Sequence, residues 1–142
     1  MAITQAFANS FKTELFTATH DFTNSTGHVF KLALYTSSAT LSKSTTAYSA
    51  TNEASGTGYS AGGATATQVT PTLSGDTALV DFGDVTWASS SISAAGALLY
   101  NSSASNAAVV VLDFGTTITT SSQTFTVTMP AATSSQAIVR LT

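Results

Sequence analysis

The side chains able to do chemistry are few and scattered. His20 and His28 lie eight positions apart around a turn-forming stretch. Two imidazoles make neither a zinc site nor a catalytic triad without a third ligand or a nucleophile. Asp76, Asp81, Asp84 and Asp113 offer the oxygen ligands that calcium takes, and Asp81 and Asp84 flank a break in strand pattern. The regular Asp-x-Asp-x-Asp-Gly spacing of a calcium loop is missing, so these carboxylates read as solvated strand ends. The triplet Asp-Phe-Gly occurs at 81–83 and again at 113–115, the letters of the magnesium-binding loop of protein kinases. The chain is too short for a kinase and has no phosphate loop, so both triplets read as a strand end followed by a glycine bulge. Serines are too abundant to constrain a Ser-His-Asp pairing. No metal, no cofactor and no catalytic set is expected, and the chain does not read as an enzyme.

Composition narrows the classes further. Of 142 residues only 8% are charged, with a formal net charge of -3, against about 25% charged in an ordinary soluble domain. Ser and Thr fill about a third of the chain instead. Lys12, Lys31, Lys43 and Arg140 form no cluster, which argues against a nucleic-acid partner, because phosphate neutralisation needs grouped cations. The longest apolar run, Ala107 to Leu112, falls far short of the ~20 residues of a membrane helix. No membrane partner is expected, and the first residues lack the basic and apolar regions of a secretory leader. Cysteine is absent, excluding disulfides and thiolate sites. The sequons Asn24-Ser25-Thr26 and Asn101-Ser102-Ser103 read as turns. Eight Phe, four Tyr and one Trp, with repeated Val, Ile and Leu, argue against disorder.

These residues must be positioned by a mainly β chain. Ile3, Phe7, Phe11, Leu15 and Phe16 recur at helical spacing and predict a helix over 3–18. Beyond Asn24-Ser25-Thr26-Gly27 the period becomes two. Phe30, Leu32 and Leu34 share one face of a strand whose other face is also well covered. Residues 37–63 predict a long contact loop with a helical turn at Thr45 to Tyr48. Strands are then expected at Ala64 to Thr70, stopped by Pro71, and at Thr77 to Phe82. Val85 and Trp87 fall on the opposite phase, which predicts a bulge or corner at Gly83-Asp84. Further strands are expected at Ile92 to Tyr100, Ala107 to Phe114, Gln123 to Met129 and Ala137 to Leu141. About seven strands without interleaved helices predict an antiparallel β-sandwich or jelly-roll-like domain over 23–142. An N-terminal amphipathic helix or arm over 1–22 precedes it.

The run Phe30 to Leu41, the run Glu53 to Gly63, Ala95 to Asn101 and Val109 to Gly115 together resemble a family of small tailed-bacteriophage virion proteins. The resemblance spans most of residues 28–115. It implies membership of a virus particle and carries no catalytic motif with it.

The expected function is therefore a capsid decoration, or cement, protein on the outer capsid surface. It would act as a homotrimer that bridges subunits of the major capsid protein. Ile3, Phe7, Phe11, Leu15 and Phe16 are the candidate subunit interface, unless the helix packs on its own sandwich. The alternative is a head-fibre, neck or tail module that recognises a host receptor or glycan, with Tyr48 and Tyr59 on the contact loop.

Overall fold

The computed structural model describes residues 2–142. It shows an antiparallel, mainly β, sandwich-like fold with a single short helix near the N-terminus. In chain order the elements are β1 (Ala6–Phe7), α1 (Asn9–Phe16), β2 (Phe30–Tyr35), β3 (Ala64–Ala66), β4 (Gln68–Ser74), β5 (Thr77–Phe82), β6 (Val85–Ser90), β7 (Ser93–Asn101), β8 (Ala107–Thr119), β9 (Gln123–Val127) and β10 (Val139–Leu141). One sheet has the order β1-β8-β7-β2-β3; the others are β10-β5-β4 and β6-β9.

The central strands are buried on both faces, as their unbroken apolar runs require. Leu32, Ala33, Leu34 and Tyr35 of β2 and Ala97 to Asn101 of β7 are all buried. Register is fixed by pairs such as Leu32 with Leu99 and Leu98 with Val111. Against one part of this sheet lies an aromatic group. Phe22 stacks on Phe30 at 4.7 Å between centroids, and Phe82 meets Phe30 edge-on at 5.4 Å. Such pairs add about 0.5–1.5 kcal/mol beyond area burial.

Several expectations are corrected here. The helix covers only Asn9–Phe16, not 3–18. Residues before it are extended because the edge of β8 takes them as a partner: Ala6 pairs with Val111 and Phe7 with Val110. Thr4 N–H bonds Leu41 O at 2.9 Å, and Ile3 bridges Leu41. No helical turn forms at Thr45 to Tyr48; Ala47 instead bridges Ala107. Pro71 does not end its strand but lies inside β4, at a register shift between Val69 and Thr72. A proline without N–H is tolerated there because β4 is an edge strand with a bulge. The strand beginning at Ala107 continues past Phe114 to Thr119, through a register shift that contains Gly115 at φ 75°.

Other expectations hold. Gly83-Asp84 is a corner: β5 pairs with β4 and β10, whereas β6 pairs with β9. Phe125, Val127 and Met129 point inward while Thr124, Thr126 and Thr128 are exposed.

Candidate functional site

The N-terminal stripe divides. Phe11 is buried, stacked against Phe7 at 5.8 Å and meeting Phe22 edge-on at 6.1 Å. Ile3, Phe7 and Leu15 are partly buried against the same chain's core. Only Phe16 is free, at 92% exposure. Thus Phe11 is an anchor of the helix on its own body, and Phe16 alone of the five stands fully out in solvent.

The long loop after β2 is tied inward. Tyr48 and Tyr59, the candidate contact residues, are half-buried, and both donate their hydroxyls to Glu53: Tyr48 to Oε2 at 2.7 Å and Tyr59 to Oε1 at 2.6 Å. Gly62 N–H adds a third bond to Oε1 at 2.7 Å. Tyr59 Oη also accepts Leu34 N–H at 2.9 Å, tying the loop to β2 beyond the stretch that pairs with β3. Tyr48 stacks on Tyr100 at 4.8 Å, and Tyr100 donates to Gly62 O at 2.7 Å. Burial, then the bond to Glu53, pushes the Tyr48 phenol up to about 12. Burial likewise raises Tyr35, Tyr59 and Tyr100. The loop is therefore a braced structure with its tyrosines facing the body. Glu53 is its organiser, and sequence reasoning missed it because a lone Glu in a Ser- and Gly-rich stretch carries no pattern.

A second polar cluster joins residues far apart in sequence. Asn101, fully buried at the end of β7, places Nδ2 3.0 Å from His20 Nδ1 and 2.9 Å from His28 Nδ1. Asn101 Oδ1 accepts Ser103 N–H at 3.0 Å. His20 Nε2 lies 2.6 Å from Glu14 Oε2 of α1, and the His20 side chain is wholly buried. Its ring sits among Phe11, Phe22 and Phe30. The histidines do come together, with an asparagine between them in place of a third ligand. Asn101 belongs to a sequon read as a turn, so nothing in the sequence linked it to them.

The carboxylates do not converge. Asp81 Oδ1 accepts its own neighbour's Phe82 N–H at 2.9 Å, and burial pushes its carboxyl up. Asp84 Oδ1 accepts Met129 N–H at 2.7 Å and so pins the corner to the end of β9. Asp113 Oδ1 accepts Gly115 N–H at 2.9 Å within the bulge of β8. The two Asp-Phe-Gly triplets are not equivalent: Asp81 and Phe82 are buried, whereas Asp113 is exposed. Among the described residues no three His, Asp or Glu are grouped to hold a metal. One pattern escaped the sequence reading. Gly58-Tyr59-Ser60-Ala61-Gly62 has the letters of a nucleophile elbow. That motif needs a strand-to-helix turn, whereas Ser60 sits on an exposed turn closed by Gly63 N–H to Ser60 O, ahead of strand β3.

The surface carries apolar groups on a nearly uncharged background. In the sheet β10-β5-β4, Leu73 and Leu141 both pair with Ala78, giving an uncovered row across three strands. Leu73 is 71% and Leu141 66% exposed. A cavity of about 340 Å³, lined chiefly by Phe7, Val110, Leu112, Met129, Pro130 and Ile138, opens beside β1. No helix is long and apolar enough to cross a membrane among the described residues. No protein-family model, curated protein or solved structure matches the chain.

Proposed function

We propose that this chain is a virion structural protein, a capsid decoration protein that binds the outer shell as a homotrimer and bridges neighbouring capsid subunits. The observation that carries the reading is the exposed apolar set Phe16, Leu73 and Leu141 on a surface otherwise dominated by Ser and Thr. Exposed apolar groups of this kind are association sites when they form patches. Hydroxyl-rich neighbours carry little charge repulsion between adjacent copies. The resemblance of residues 28–115 to phage virion proteins supports the same reading. Each contact is small, and repetition over a shell multiplies weak contacts into firm attachment. Such a protein acts mechanically, holding subunits together against internal pressure.

The test is to add the purified protein to capsids that lack it, then count and locate the bound copies. Many copies spread over the shell are expected. A few copies at a single vertex, or binding to host surface glycan with none to capsids, would overturn the proposal. Phe16→Ser is expected to weaken attachment while leaving the melting temperature of the free protein within a degree or two, on the order of the change for an exposed position.

A further inference from the structure

We propose that Asn101 is a proton-sensitive clasp: it holds His20 and His28 in their neutral forms, and protonating the rings releases residues 9–29 from the sandwich. The inference is independent of the capsid reading.

The hydrogen-bond inventory around the amide fixes the protons. Asn101 Oδ1 is taken by Ser103 N–H, so the group facing both rings is the amide nitrogen, which only donates. Each Nδ1 must therefore accept, and each ring carries its single proton on Nε2. For His20 that proton is donated to the Glu14 carboxylate. Asp21 N–H also points at His28 Nδ1, at 3.4 Å, a second donor on the same lone pair.

A further proton on either ring has to enter at Nδ1. There it meets an N–H of Asn101, and at His28 also the N–H of Asp21. Turning the amide over would face the proton with oxygen but would set the amide NH2 against Ser103 N–H. The charged and titratable groups facing the rings are few. Glu14 faces His20 from α1, Asp21 lies beside His28, and the rings face each other across Asn101. β7 supplies Asn101, and β2 supplies the uncharged ring of Phe30; the uncharged Gln68 of β4 donates Nε2 to the carbonyls of His28 at 2.6 Å and Thr23 at 3.3 Å. Glu14 attracts a proton toward His20, but it already holds the Nε2 proton and does not reach Nδ1. Asp21 has its Oδ1 occupied by Thr23 N–H.

The clasp joins α1 and the 17–29 segment to β7. Opening it uncovers Phe11 of α1 and Phe22 of the 17–29 segment, which now pack against each other and, through Phe22, against Phe30 of β2. Acid thus converts a covered aromatic cluster into an exposed one.

The experiment uses the full chain. Imidazole nitrogen NMR at about pH 8 should show both Nδ1 atoms unprotonated, and hydrogen exchange is compared at about pH 8 and about pH 5, either side of the ordinary imidazole range. After correction for intrinsic rates, amides of residues 10–29 should lose about tenfold or more of their protection in acid, while Leu98 and Val110 keep theirs. Asn101→Asp retains an acceptor for Ser103 N–H and presents oxygen to both rings, so its protection over 10–29 should rise in acid. A protonated Nδ1 at about pH 8, or equal protection of 10–29 in the wild type at both pH values, would overturn the clasp. The wild-type data decide the matter even if the variant does not fold.

Discussion

At the scale of single residues, the polar side chains of this protein are largely occupied with one another. Glu53 accepts two phenols and a backbone amide, so Glu53→Ala orphans three donors. Because the site is half-buried, a loss of about 2 kcal/mol is expected, measured by urea unfolding. Glu53→Gln should cost less, since an amide oxygen still accepts from Gly62 and Tyr59. All four tyrosines are held above their ordinary value, chiefly by burial. The folded state thus binds these protons more tightly than the unfolded chain. Their stabilisation is complete below the unfolded value near 10 and is lost as pH rises through it toward the folded values. Alkaline titration followed by phenolate absorbance should therefore show no ordinary tyrosine step; ionisation should coincide with unfolding. Phe11 and Phe16 make the sharpest contrast. Phe11→Ala should cost about 3–5 kcal/mol, whereas Phe16→Ala should stay within about 0.5 kcal/mol.

At the scale of elements, strands were legible where one face is wet and one dry. The alternation at 123–129 needs only the period of a pleated strand, and the phase change after Phe82 marks a corner because a slip of one residue exchanges faces. The helix over 3–18 was not legible, because Ile3, Phe7 and Phe11 satisfy helical spacing while Ala6 and Phe7 complete the edge of β8 and residues 2–4 pair with Leu41. Pro71 misled for a similar reason: whether a proline ends a strand depends on which side of the strand is paired, a fact of sheet order. The braced loop rests on one close approach. Gly63 has φ 78°, and a Cβ there would lie 1.9 Å from Leu32 O and 2.5 Å from Leu32 C. Backbone cannot yield as a side-chain tip does, so Gly63→Ala should cost more than the ~1 kcal/mol of an unfavourable φ alone. Thermal unfolding would check this, with local loss of exchange protection at β2 and β3.

At the scale of the whole molecule, charge contributes little. Among the described residues no Lys or Arg side chain lies in a salt bridge, and the one histidine–carboxylate contact is the hydrogen bond of His20 with Glu14. With so few ionic contacts to screen, the melting temperature should shift by no more than about two degrees between roughly 0.05 and 1 M sodium chloride. Attachment to a shell through Phe16, Leu73 and Leu141 should be equally tolerant of salt. A steep loss of attachment with salt would instead indicate an ionic docking surface.

The sequence by itself determined the mainly β architecture, the scarcity of charge, the doubly buried central strands and the corner at Gly83-Asp84. All of these follow from local period and composition. Tertiary structure alone decided that Asn101 stands between two histidines 81 and 73 positions away, that Glu53 gathers two tyrosines, and that Phe11 is buried while Phe16 is bare. Those pairings depend on which strands lie side by side, and that choice is made by summed packing across the sheets, which no short window of residues records.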